Sequence, residues 1–140
     1  MLSWFPARSD DTGKLLLRLA VAGIILFHGV FKLTHGVDWI TQPLGDLGLP
    51  GFLRYGTYLA EVVAPIFILA GYWTRLAALV VAFDMFMAIV LVLRHQAFAV
   101  KEAGGGWGIE LEAMLLLTSL ALFFIGAGKY GVGRNRTPLD

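Results

Sequence analysis

The chain has 140 residues, 58% of them hydrophobic, with a mean hydropathy of +0.75 and a formal net charge of +1. A charged fraction of 15% is a thin polar shell for a soluble domain of this size, and without a basic face the chain has nothing to grip nucleic-acid phosphates. The absence of cysteine excludes disulfides, thiol redox chemistry, Cys-ligated iron–sulfur clusters and covalent c-type haem.

A membrane span needs about 20 mostly apolar residues, and four segments qualify: 13–35, 52–72, 74–94 and 107–127. The expectation is an all-α protein, an integral membrane four-helix transmembrane bundle, with 1–140 forming one domain. The first segment is too long for a signal-peptide core and no A-x-A site follows it, so it reads as a retained helix. The stretch 37–51, closed by Leu49-Pro50-Gly51, is long enough to fold back over the bundle and cover a pocket. In the second segment Pro65 lies one helical turn past Glu61 and frees that residue's carbonyl, an arrangement that favours a cavity. Gly71-Tyr72-Trp73-Thr74 makes a tight turn into the third segment, where Ala78 and Ala82 are spaced for close helix packing. The glycine-rich stretch 97–106 leads into the fourth, which ends at Gly126-Ala127-Gly128.

Arg8, Lys14, Arg18, Arg75, Lys129, Arg134 and Arg136 fall on one side of these spans, and only Lys32, Arg54, Arg94 and Lys101 on the other. That bias puts both termini in the cytoplasm, with 37–51 and 97–106 outside. Trp39, Trp73 and Trp107 lie near span ends, where amphipathic rings favour the interface.

Ionisable residues in hydrocarbon cost about 2.5–3.5 kcal/mol each even on the lenient insertion scale, so they face the interior and find partners. His28 and Lys32 share a face of the first helix; Arg54, Tyr58 and Glu61 share one on the second. Asp84 lies mid-way along the third. Glu110 and Glu112 point about 200° apart on the fourth, so one faces inward and the other reaches headgroups. Antiparallel packing brings His28, Lys32 and Glu61 to similar depth in the outer half of the bundle, with Glu110 near. Arg18 and Arg75 sit near the inner face, within reach of headgroups. Such a cluster suits a ligand, a proton or a quinone head group, and equally suits ion pairs that fix helix register. A metal would use His28, Glu61 and Glu110. A haem b would want two facing histidines, and nothing in the spacing of His28 and His95 demands it.

These residues carry a family resemblance. Leu15-Leu16-Leu17-Arg18-Leu19, His28-Gly29 with Lys32-Leu33, and Leu47-Gly48-Leu49-Pro50 are similar to the DoxX family. So are Leu59-Ala60-Glu61, Gly71 with Thr74-Arg75-Leu76-Ala77-Ala78, the glycine run before Glu110, and Gly126-Ala127-Gly128-Lys129-Tyr130. The resemblance covers residues 15–132. It implies a small four-helix protein of the bacterial or archaeal inner membrane, with Arg18, His28, Lys32, Glu61, Arg75 and Glu110 as the family's polar positions. Asp84 departs from that pattern as an extra acid, and the extended glycine run leaves Glu110 or Glu112 as the family's acid; counting back from Gly126 favours Glu110. The resemblance implies a redox-associated subunit, quinone-linked or tied to oxidative stress. The chain would not be a complete enzyme alone, having no electron carrier of its own. Its expected partners are the lipid bilayer and other membrane redox subunits, and a homo-oligomer remains open. A non-catalytic assembly subunit and a small-molecule or metal carrier are the competing functions.

Overall fold

The computed structural model describes residues 9–133 and 136–140. Arg8 and Arg134, two of the cations counted toward orientation, lie outside the described residues. Helix α1 spans Asp10–His35. Ser9 caps it by accepting from the Thr12 N–H at 3.3 Å, and Asp10 and Asp11 in the first turn suit the positive end of the helix dipole.

The stretch expected to fold back does so. A 3-10 turn, Asp38–Ile40, runs into a short helix α2, Thr41–Asp46. Val37, Ile40 and Leu44 are buried there against Leu49, Tyr58 and Leu91.

Helix α3, Gly51–Ala70, is irregular. It opens with a 3-10 turn, Gly51–Tyr55, and passes through a π-helical turn, Leu59–Val63. Pro65 has no N–H to give the Glu61 carbonyl. The helix widens just before it, so that the Ala64 N–H reaches back five residues to the Leu59 carbonyl. The freed Glu61 carbonyl turns onto Gly29 of α1, where a Cβ would collide with it. Glycine at position 29 is what lets the two helices touch there.

Helix α4 spans Thr74–Gln96 and follows the turn at Gly71-Tyr72-Trp73. Gly71 and Trp73 both have positive φ, 69° and 48°. For Trp73 that conformation costs about 1–2 kcal/mol, and the Asp140 carboxylate offsets it by accepting the Trp73 N–H at 2.9 Å.

Helix α5 is Glu110–Ile125, 16 residues. It starts later than the apolar segment because 97–109 folds into a compact turn of its own. Lys101 N–H donates to the Gly106 carbonyl and Gly108 N–H to the Ala99 carbonyl, while the Trp107 indole donates to the Ala97 carbonyl at 2.6 Å.

Three helices, α1, α3 and α4, are long and apolar enough to cross a membrane. Their buried faces form one core that includes Val21, Ile25, Ile68, Val81 and Met85, closed by Leu122 of α5. Helix α5 lies along α4 in the broadest helix–helix contact of the fold. The buried small residues Ala77, Ala78 and Ala82 of α4 suit that closeness. Helix α1 packs on α3 and α5; α3 meets α4 mainly through its second half; α2 rests on the start of α3 and reaches Ile89–Leu93 of α4.

Candidate functional site

The buried positions of α1 are Arg18, Val21, Ala22, Ile25 and Gly29, a stripe of helical period. Lys32, three residues past Gly29, continues it. His28 is one residue before Gly29 and so about 100° away. On α3 the stripe runs Thr57, Ala60, Glu61, Ala64, Pro65, Ile68, with Glu61 in its middle. These two stripes face each other, and Lys32 Nζ meets Glu61 Oε1 at 2.5 Å, with the Glu61 side chain 4% exposed. The Tyr58 hydroxyl donates to the Lys32 carbonyl at 3.3 Å and ties down the end of α1.

Asp84 of α4 stands beside both residues, close enough to Glu61 for the two carboxyl groups to contact and near enough to Lys32 to feel its charge. One ammonium thus faces two acids. Glu61 Oε2 is buried and has no hydrogen-bond partner among the described residues. The Lys32 ammonium also sits 5.9 Å from the centroid of the Trp39 ring, within cation–π range.

These groups form the polar floor of a cavity of about 940 Å³ between α3 and α4, roofed by the α2 segment. The rest of its lining is almost wholly apolar. Leu44 hangs from the roof, and Met87, Ala88 and Leu91 follow Asp84 along α4. Leu59 and Phe83 line the cavity and are also 55% and 65% exposed, so it opens sideways, between α3 and α4, toward the hydrocarbon.

Several expected members stand elsewhere. His28 is exposed and its Nδ1 bonds the Ile24 carbonyl of its own helix at 3.0 Å; the stripe carries Lys32 inward and leaves His28 outside. Glu110 does not turn inward. It is the first residue of α5, half exposed, and pairs with Lys101 at 2.8 Å, because the folded 97–109 turn carries that lysine back over it. Glu112 is half-buried. His28, Glu61 and Glu110 therefore do not assemble, and no group of three metal-ligating side chains occurs among the described residues. Arg54 lies 3.3 Å from Asp38 and donates to the Gly51 carbonyl and the Tyr55 hydroxyl, which fastens the roof to α3 outside the cavity. His95 accepts from the neighbouring Arg94 Nε.

Arg18 does not reach for headgroups. It is 1% exposed and donates to the carbonyls of Ile68, Leu69 and Ala127 at 2.8, 2.6 and 3.2 Å. The first two belong to the last turn of α3, whose carbonyls lack helical donors. Arg75 is half-buried, its Nε without a hydrogen-bond partner among the described residues.

Thr57 and Trp39 line the cavity without having been singled out as site residues. The signal for Thr57 was its place one turn before Glu61. For Trp39 the sequence offered only an interfacial ring.

The DoxX family profile matches residues 13–94. Over 121 residues the chain is 31% identical to "Putative oxidoreductase CatD" of Bacillus subtilis, an alignment covering 86% of this chain and 84% of that one. No solved structure matches. The profile takes in more than half of the chain, including Lys32, Glu61 and Asp84, and on that match the chain belongs to the DoxX family.

Proposed function

We propose that the protein is a small membrane subunit of a redox system, and that its cavity holds the ring of a lipid-soluble, quinone-type molecule. The observation that carries this reading is the Lys32–Glu61–Asp84 group at the floor of an otherwise apolar cavity. Such a ring has an apolar body and polar oxygens at its edge. Conversion between its two redox forms moves protons, and an ammonium beside two carboxyl groups supplies sites for them. The name of the Bacillus subtilis relative supports the redox class. The chain has no cysteine for an iron–sulfur cluster, so electrons would pass to or from a partner in the bacterial or archaeal cytoplasmic membrane. Helix α5 would make a fourth crossing, with both termini cytoplasmic.

The test is retention of ligand. The protein would be isolated in native-lipid particles, and quinones extracted and quantified against bulk lipid from the same membranes. Enrichment is expected for the natural sequence and not for Ala88→Trp, which fills the cavity with the variant's folding checked by its melting profile. No enrichment in either, together with co-purification of another chain, would favour an assembly subunit. Solute flux into vesicles would favour a carrier.

A further inference from the structure

Residues 97–109, between α4 and α5, form a small hairpin with two unlike faces. Val100 and Trp107 are antiparallel bridge partners. The bonds from Lys101 N–H to the Gly106 carbonyl and from Gly108 N–H to the Ala99 carbonyl flank them, so their side chains stand close together on one face. Phe98, two residues before Val100, shares that face. Phe98 is wholly exposed, Val100 largely so and Trp107 about half. The opposite face turns to the protein. A Cβ on Gly108 would strike the Gln96 carbonyl, one on Gly106 would strike the Glu110 carboxylate, and Lys101 pairs with Glu110 there. Three large apolar side chains are thus gathered on the face that points away from the bundle.

The helices set the depth of this hairpin. Helix α4 has 23 residues and α5 only 16, so the shorter helix stops about 10 Å early beside its neighbour. The far end of α5 is fixed by the bond from Arg18 to the Ala127 carbonyl, near the exposed rings of Tyr72, Trp73 and Tyr130. The shortfall therefore lies at the hairpin end, on the side where α2 reaches α4. Backbone at membrane depth needs its polar groups paired. The hairpin pairs some across its bridge and the Ala97 carbonyl with the Trp107 indole, but a two-stranded hairpin keeps two open edges, which need water. The boundary between acyl chains and headgroups meets both demands, and tryptophan rings settle there. Arg94 and Lys101, both exposed, place cations at the same level, where lipid phosphates lie.

We infer that the 97–109 hairpin is a lipid-docking surface, lying in the headgroup region of the leaflet on the α2 side with Phe98, Val100 and Trp107 set into the upper acyl chains. This rests on the fourth crossing proposed for α5 and is independent of what the cavity holds.

With no native cysteine, single nitroxide labels report depth. Phe98→Cys and Val100→Cys would be labelled in the full chain in phosphatidylcholine–phosphatidylglycerol vesicles. Relaxation of each label by oxygen, which concentrates in acyl chains, is compared with relaxation by a water-soluble nickel chelate present on both sides. Glu102→Cys at the hairpin tip marks water, and Leu117→Cys, exposed midway along α5, marks hydrocarbon. The labels at 98 and 100 should fall between these two, about 5–10 Å below the phosphates. Nickel contact at 98 and 100 equal to that at 102 would put the face in water. Shielding of both positions from both reagents would put it against protein, a second copy or another chain. Either result overturns the inference and leaves the fourth crossing intact, whereas strong nickel contact at 117 would remove that crossing as well.

Discussion

Arg18 and Lys32 are both cations on the inward side of α1, and their chemistry assigns them different partners. The planar guanidinium of Arg18 suits three backbone carbonyls, two from the last turn of α3 and one from just past the end of α5. The compact ammonium of Lys32 suits a single carboxylate oxygen. With two acids beside one lysine, loss of the cation and loss of one acid are unequal. Lys32→Met leaves Glu61 and Asp84 facing each other without a counter-ion, and should destabilise by about 3–5 kcal/mol. Glu61→Gln leaves the ammonium with Asp84 and should cost clearly less; Lys32→Met combined with Glu61→Gln should recover part of the single loss. Unfolding in a graded detergent series measures all three, and equal costs for the two single variants would show that Asp84 does not share the cation. His28→Leu is the matched control, since among the described residues His28 bonds only its own helix and the change should stay within about 0.5 kcal/mol. The sequence made His28 and Lys32 look equivalent because four residues span only about 40° of helix. What separates them is the centre of the buried stripe at Ile25 and Gly29, and that centre is fixed by neighbouring helices.

Helix α3 is built around an irregularity with a single cause. Pro65 removes a donor, the π-helical turn Leu59–Val63 absorbs the loss, and the carbonyl thus freed rests on Gly29. Pro65 one turn after Glu61 was legible in the sequence; the partner of the freed carbonyl was not, since it lies on another helix. Gly29→Ala pushes a methyl into that carbonyl. It should cost about 1–3 kcal/mol, as overpacking does, and separate Lys32 from Glu61. A tailed quinone or hydroquinone should then bind more weakly even in the folded fraction; unchanged stability and binding would mean that α1 and α3 have room to part. A second element, the turn at Trp73, depends on charge. The Trp73 N–H, and then the Thr137 N–H, hold the Asp140 carboxyl below the usual carboxylate range. A carboxyl lowered in the folded state contributes its stability above its unfolded pKa and loses it as pH falls through the folded one. The tail should therefore stay docked at neutral pH and release only in acid, below the ordinary range for aspartate. Trp73 emission followed during acidification reports this, and Asp140→Asn should lack the acid transition; an identical transition in that variant would assign it to another group.

At the scale of the whole chain, hydropathy and punctuation located the long helices to within a few residues. Segments 13–35, 52–72 and 74–94 correspond to Asp10–His35, Gly51–Ala70 and Thr74–Gln96. Length was legible because hydrocarbon thickness dictates it. The orientation of α5 about its axis was not, because that helix is apolar nearly all round and no face is marked. The assignment of Glu110 to the interior failed there, at a position governed by the 97–109 turn. Helix α5 also poses the remaining question of topology. Its 16 residues rise about 24 Å, short of the roughly 30 Å hydrocarbon core. Its two ends are nonetheless held at opposite ends of the fold. Glu110 lies by the turn that follows α4, whereas Ala127, just past the other end, accepts from Arg18 beside Ile68. The tail beyond continues along the α3–α4 turn, with Val132 N–H on the Ala70 carbonyl and Arg75 N–H on the Leu139 carbonyl. If α1, α3 and α4 cross the bilayer, that tail is carried to the side where α1 begins. The native chain has no cysteine, so single introduced cysteines report cleanly. Asp10→Cys and Lys129→Cys should react with an impermeant maleimide only from the cytoplasmic side, and Asp46→Cys and Glu102→Cys only from the other. Labelling of Lys129→Cys from the same side as Asp46→Cys would mean three crossings, and would be incompatible with the hydrogen bonds that join the tail to the α3–α4 turn.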